Sequence, residues 1–250
     1  MMILITRPLN EAKLLAKELK KLKVKTIIEP LTSFRFFKKK ITFNNKKIFI
    51  VTSLQSVHAL RKYQNHYQQI ISCGSFAVVG MKVAKELKLL GVKKIIRISN
   101  TSAQLLKSLS RVRFRENKIE YLCGSIVSKE FINGLKKNKI KYRKNIIYKT
   151  IAKKQLSKKC LNILKNKKIK IVLIYSEYSA RLFSNFIKRN NLNEVLSSTQ
   201  IICLSKRISK AIQHKSSYDE ILWSKLPNQN SMILRVRSKL HKDNSHFKKI

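Results

Sequence analysis

Short apolar, β-branched runs alternate with amphipathic stretches over most of the chain. Residues 3–6 predict a strand. Residues 10–21 predict a helix, because Leu14, Leu15, Leu19 and Leu22 recur near the helical period with lysines on the other face. Asn10 is the expected N-cap of that helix. Residues 24–29 predict a second strand, stopped by Pro30. The pattern then changes. Residues 31–40 hold Phe34, Phe36 and Phe37 and then three lysines, without a helical period, and read as an extended connector.

The alternation restarts after it. Strands are predicted at 47–52, 75–79, 94–98, 119–123 and 140–148, and helices at 55–63, 81–90, 102–110 and 128–138. Gly91 follows the second of these helices, a good stop signal. A third stretch gives helices at 154–165, 178–189, 206–214 and 231–240, with strands at 170–175, 199–204 and 219–223. The last ten residues are basic and polar and read as a frayed end.

One open parallel sheet of ten strands would be unusual in 250 residues. The first two strands are too few to stand alone, and the three strands after residue 150 complete a set of five. The expected fold is therefore α/β, with two doubly wound five-stranded parallel-sheet domains. The first domain is discontinuous, residues 1–33 plus 151–250. The second is inserted at 35–149. Residues 31–36 and 146–152 form a two-stranded linker.

Composition narrows the chemistry. Lys and Arg number 56 against 12 Asp and Glu, a formal net charge of +44, yet 44% of residues are hydrophobic, enough for a packed core. Only two acids are Asp, so carboxylate clusters for magnesium or calcium are not expected, and a carboxylate-pair glycosidase is disfavoured. Cys73, Cys123, Cys160 and Cys203 lie far apart, in or beside apolar runs, and read as reduced, mostly buried thiols of a cytoplasmic protein. His58, His66, His214, His241 and His246 show no metal spacing and read as surface residues. The five glycines form no dinucleotide or P-loop motif, and there is no hydrolase elbow. No apolar run is long enough to span a membrane. The short apolar start lacks a preceding basic region and reads as a strand, not a signal peptide. Neither a metal nor an organic cofactor is expected. The basic residues are spread over every element instead of forming a stripe with interleaved aromatics, so specific nucleic-acid binding is not expected either.

A small or hydroxyl residue recurs just after the strands: Thr6 before Arg7, Thr52-Ser53, Gly80, Gly124-Ser125, Ser176 and Ser205. In a parallel sheet these positions fall at the carboxyl edge, beside helix N-termini. Free N–H groups and the positive end of the helix dipole favour anions there. Ordinary N-capping selects the same residue types. Their recurrence on both domains is what points to a shared anion-binding cleft.

Taken in order, these segments resemble the uroporphyrinogen-III synthase (HemD) family. The likeness rests on ILITRP (3–8), IIEPLTSFRF (27–36), FIVTSLQSVHAL (49–60), FAVVGMKVAKEL (76–87), IEYLCGSIVSKEF (119–131), NIIYKT (145–150) and VLIYSEYSARLF (172–183). The chain departs from the pattern at Ser205-Lys206-Arg207, where the family commonly has a glycine, and at Glu177-Tyr178 after Ser176. The resemblance implies a cofactor-free, monomeric hydro-lyase of tetrapyrrole (haem, sirohaem, cobalamin) biosynthesis. It would cyclise the linear tetrapyrrole hydroxymethylbilane, received transiently from hydroxymethylbilane synthase, with loss of water and inversion of the terminal pyrrole ring. It also implies Tyr148 as general acid. Thr6, Arg7, Thr52, Ser53, Gly80, Gly124, Ser125 and Ser176 are the expected contacts to the substrate carboxylates. Two alternatives remain on the residues alone: a basic RNA-associated α/β protein, and a non-catalytic tetrapyrrole-binding relative.

Overall fold

In the computed structural model the described residues are 2–111, 118–213 and 217–246. The end of the predicted helix at His214 lies outside them, as do the side chains of His214, His241 and His246. The chain divides into two compact units: Met1–Ser33 with Ala152–Ile250, and Phe34–Ile151.

The first unit contains strands β1 (Met2–Ile5) and β2 (Lys25–Ile28), joined by helix α1 (Leu9–Lys20). The second unit follows with β3 (Thr32–Phe36), β4 (Lys47–Val51), α2 (Leu54–Lys62), α3 (Gln68–Cys73), β5 (Ser75–Val79), α4 (Met81–Leu89), β6 (Lys94–Ser99), α5 (Ser102–Arg111), β7 (Lys118–Gly124), α6 (Lys129–Lys137) and β8 (Tyr142–Ala152). The chain then returns to the first unit with α7 (Lys158–Lys165), β9 (Ile169–Ile174), α8 (Glu177–Arg189), β10 (Gln200–Cys203), α9 (Lys206–Lys210), β11 (Glu220–Trp223) and α10 (Gln229–His246).

The first unit's five-stranded sheet runs β11-β10-β9-β1-β2, with parallel pairing throughout. Both faces are covered, which is why β1 and residues 171–174 of β9 are apolar at successive positions. Leu4 packs on one face with Phe183 and Phe186, while Ile3 and Ile5 pack on the other with Leu15 and Leu19. The second unit's sheet runs β3-β8-β7-β4-β5-β6, and β8-β7-β4-β5-β6 are parallel. Phe49 and Val51 face one core, and Ile48 and Ile50 face the other.

The connector differs in one respect from the separate two-stranded linker read from the sequence. β8 is a single 11-residue strand that serves both as the fifth parallel strand and as the returning connector. β3 lies along its free edge, so this sheet has six strands. Phe37 N–H donates to Ile147 O and Lys153 N–H to Leu31 O, each at 2.9 Å. One index rises as the other falls, so the pair is antiparallel. An exposed edge of backbone donors and acceptors is thereby satisfied.

Several boundaries also move. The N-cap position of α1 is Pro8, not Asn10, and Ala12 N–H bonds to Pro8 O at 2.9 Å. Proline's restricted φ leads directly into the helix and needs no side-chain cap. α3 was not legible, because its apolar content is the short pair Ile70 and Ile71 in a polar run. α7 begins at Lys158, capped by Ser157, four residues later than the pattern implied. α10 extends to His246, into the last ten residues, of which 247–250 lie outside the described residues. Gly91 does stop α4: its φ is 103°, and Val92 N–H reaches back to Leu87 O at 3.0 Å. After α1, α6 and α7 the left-handed position is taken by Lys23, Lys139 and Lys167. Glycine is the usual choice at such a position, so the lysine bias extends even to backbone sites that do not favour it.

Cys123, Cys160 and Cys203 are buried, and burial pushes their thiols up to about 11, 12 and 12. Cys73 is exposed, so the expected burial holds for three of the four. Thiolate is the reactive form, so the buried three are doubly protected. Titration of the native protein with a thiol reagent at neutral pH is expected to show one fast thiol, and denaturant is expected to release the other three. More than one fast native thiol would contradict this packing.

Candidate functional site

In an open α/β sheet, ligands bind outside the carboxyl ends of the strands where the strand order reverses. In the second unit the chain leaves β4 toward β5 and β6 on one side, then returns to β7 and β8 on the other. The reversal lies between β4 and β7. The residues just beyond those two strands are Thr52-Ser53 and Ser125, and Gly124 ends β7.

Ser53 is the N-cap of α2, and its Oγ accepts from Gln55 N–H at 3.1 Å. Tyr148, on the returning strand, donates its hydroxyl to the same Oγ at 3.1 Å. Phe34 and Phe36 meet the Tyr148 ring edge-on, with centroids at 5.7 and 6.4 Å. Ser125 N–H donates to Tyr148 O at 2.9 Å, which locks the two strand ends together. Burial raises the Tyr148 phenol above its ordinary range, with the Ser53 bond opposing. It is therefore protonated at neutral pH and carries a proton to give, though burial makes it a weaker acid than a free phenol.

Gly124 is required by this arrangement. A Cβ there would lie 2.4 to 2.8 Å from Cε2, Cζ and Oη of Tyr148. Gly124→Ala is expected to destabilise the protein by about 1–3 kcal/mol through overpacking, and to slow any reaction that uses Tyr148 by moving the ring off Ser53. Urea unfolding and turnover measure the two effects. An Ala variant equal to the parent in both would show that the ring is not held by this contact.

Thr52 has a partner that sequence reasoning passed over. Its Oγ1 lies 2.8 Å from the Tyr121 hydroxyl. Tyr121 is 3% exposed, and burial drives its phenol well above the usual tyrosine range. A signal was present: strand alternation placed a tyrosine on a buried face, and a buried hydroxyl needs a partner. Which partner was not legible, because Thr52 is 69 residues away in the chain.

Gly80 follows the neighbouring β5 and is the N-cap of α4 at φ 95°, a backbone region that disfavours other residues. Its N–H bonds to Ser99 O at 2.8 Å.

In the first unit the reversal lies between β1 and β9. Thr6 is buried, and its Oγ1 donates to Leu173 O at 2.7 Å, so this hydroxyl bridges the two strands. Arg7 is held by Glu11, by Gln229 Oε1 at 3.1 Å and by the Tyr175 ring, 4.4 Å from the guanidinium carbon. Burial pushes the Tyr175 phenol up to about 12, with the Arg7 charge opposing. Ser176 caps α8: its Oγ accepts from Ser179 N–H at 3.0 Å. Beyond it, Arg207 pairs with Glu177 at 2.6 Å. The structure thus brings Thr52, Ser53, Gly124, Ser125 and Tyr148 together in one unit, and Thr6, Arg7 and Ser176 in the other.

These features define a class: two doubly wound α/β units whose capped helix starts gather at the strand-order reversals, without a glycine-rich nucleotide loop. The family model described as uroporphyrinogen-III synthase HemD matches residues 13–233, and the chain belongs to that family. It is accordingly an enzyme of the uroporphyrinogen-III synthase kind, tied to tetrapyrrole biosynthesis and a tetrapyrrole substrate. The sequence matches none of the curated proteins with which it was compared. Among solved structures it is similar to uroporphyrinogen-III synthetase from Helicobacter pylori, with TM-score 0.66, 14% identity, and coverage of 95% of this chain and 98% of the other. It is also similar to a mutant uroporphyrinogen III synthase from the extremely thermophilic bacterium Thermus thermophilus, with TM-score 0.62, 12% identity, and coverage of 97% and 99%. At such identities these likenesses show the fold. Among the described residues no helix is long and apolar enough to cross a membrane.

Proposed function

We propose that the chain converts hydroxymethylbilane to uroporphyrinogen III with loss of one water. The C–O bond of the hydroxymethyl group breaks as the Tyr148 phenol gives its proton to the departing oxygen. The methylene carbon left behind forms a C–C bond to the substituted carbon of the terminal pyrrole. That carbon's bond to its original methylene bridge breaks, and the freed bridge bonds the ring's other α-carbon, which inverts the ring and closes the macrocycle. A proton lost from the ring system restores the phenol. The helix starts after Thr52-Ser53, Gly80, Thr6-Arg7 and Ser176 offer the substrate carboxylates their free N–H groups, and Gly124-Ser125 meets the substrate beside Tyr148. Holding a flexible chain in one reactive arrangement is the larger part of the work.

The family match over residues 13–233 carries this reading. The support from geometry is a protonated tyrosine anchored at the strand-order reversal. The test is isomer analysis. Freshly generated hydroxymethylbilane closes spontaneously to the I isomer, and the folded protein is expected to divert it to the III isomer. Exclusive I isomer from a folded sample would overturn the assignment and favour a non-catalytic relative.

A further inference from the structure

Thr52 and Ser53 are successive residues at the end of β4, and two tyrosines hold them from opposite faces of one sheet. Tyr121 belongs to the core on the side of Ile48, Ile50 and Phe131. Tyr148 belongs to the core on the side of Phe49 and Val51. From those two sides their hydroxyls reach Thr52 Oγ1 at 2.8 Å and Ser53 Oγ at 3.1 Å. Each ring is fixed by aromatic packing, Tyr121 edge-on to Phe131 at 5.3 Å and Tyr148 edge-on to Phe34 at 5.7 Å. The turn between β4 and α2 therefore cannot rotate without breaking a bond on one face or the other.

We propose that Tyr121 is a positioning residue for ligand binding at this turn. It acts through Thr52, setting the direction of the N–H groups that open α2 while Tyr148 stays available for chemistry. This rests on the reading of the chain as a uroporphyrinogen-III synthase, in which that turn meets carboxylates of the linear tetrapyrrole. A tyrosine that merely satisfies its own buried hydroxyl would contribute to stability alone. A positioning tyrosine affects how well substrate is held. Contacts made equally in the ground and transition states appear in KM and leave kcat unchanged.

Tyr121→Phe removes one oxygen and leaves the packing on Phe131. In hydroxymethylbilane assays scored for the III isomer, well below the melting temperature, KM is expected to rise about fivefold, the effect of one net hydrogen bond, with kcat within twofold. Thr52→Val is expected to raise KM at least as much. Because Tyr121 acts only through Thr52, adding Tyr121→Phe to Thr52→Val is expected to change KM no further. Wild-type KM in Tyr121→Phe, even with a lowered melting temperature, overturns the proposal. So does a double variant in which the two effects multiply. If Tyr121→Phe does not fold, the hydroxyl is a folding requirement and the positioning role is likewise overturned. Failure of the enzyme reading is separate: there the unmodified protein itself yields only the I isomer.

Discussion

Tyr148→Phe is expected to slow formation of the III isomer by about a hundredfold, in the range that a positioned general acid contributes, while leaving the fold intact. The Phe ring keeps the edge contacts to Phe34 and Phe36 and the close approach to Gly124. What is lost is the hydroxyl bond to Ser53 at 3.1 Å. Ser53 still caps Gln55 N–H, so the start of α2 remains satisfied. The expected stability loss is about 1 kcal/mol, one net hydrogen bond, which shifts the melting temperature by only a few degrees. The lost proton transfer is expected to lower kcat, and the lost bond to Ser53 loosens the α2 turn and is expected to raise KM about as much as Tyr121→Phe does. Turnover equal to the parent would remove Tyr148 from the chemistry and leave it a packed linker residue.

Glu120→Ala is expected to cause the largest loss of stability, about 3–5 kcal/mol, the range for removing one partner of a buried ion pair. Glu120 pairs with Lys47 at 2.9 Å, and their side chains are 3% and 9% exposed. Asn145 Nδ2 donates to the other carboxylate oxygen at 2.5 Å. The three residues stand on β7, β4 and β8: Gly124 ends β7, Thr52-Ser53 follow β4, and Tyr148 lies on β8 opposite Gly124. Without the carboxylate, the Lys47 charge is left, among the described residues, with the Thr42 carbonyl 2.5 Å away. That loss is a large part of the roughly 5–15 kcal/mol typical of a domain. Urea unfolding of the intact chain measures it. A companion variant with Lys47→Met and Glu120→Leu together is expected to recover much of the loss, because no charge is then stranded. A Glu120→Ala midpoint equal to the parent would show that water or a rearranged lysine replaces the pair.

The legible features share one property: their information is local. The Leu14, Leu15, Leu19 period is visible within 12 residues, and α1 formed there. The strand of residues 75–79 was legible to the residue, because a short β-branched run sits between two glycines. The recurrent small residues after the strands were legible as well: Ser53 and Ser176 accept a helix-start N–H, while Gly80 and Ser205 stand at N-caps without a side-chain bond. Other features depended on a distant neighbour. Asn10 had the right chemistry for a cap, but Pro8 had already begun the helix. Thr6 read as a residue at the sheet's carboxyl edge, but that its hydroxyl donates to Leu173 O, 167 positions away, was not legible. Glu29 read as the end of a strand. It is buried instead, accepting from Ser157 N–H at 3.0 Å and Ser157 Oγ at 2.6 Å and pairing with Lys153.

The sequence by itself determined the alternating elements, the doubly wound α/β class, the scarcity of carboxylates and the order of segments that marks the family. Periodicity and composition carry that information in short windows, and the cores formed where those windows placed them. Only the tertiary structure decided that β3 closes the edge of β8, that Gly124 is a glycine because the Tyr148 ring occupies its Cβ space, and that two tyrosines grip Thr52 and Ser53 from opposite faces. Each of these is a meeting of side chains or strands far apart in the chain, made when hydrophobic burial folds the sheets. A buried hydroxyl announces that it needs a partner, but only the folded chain names it.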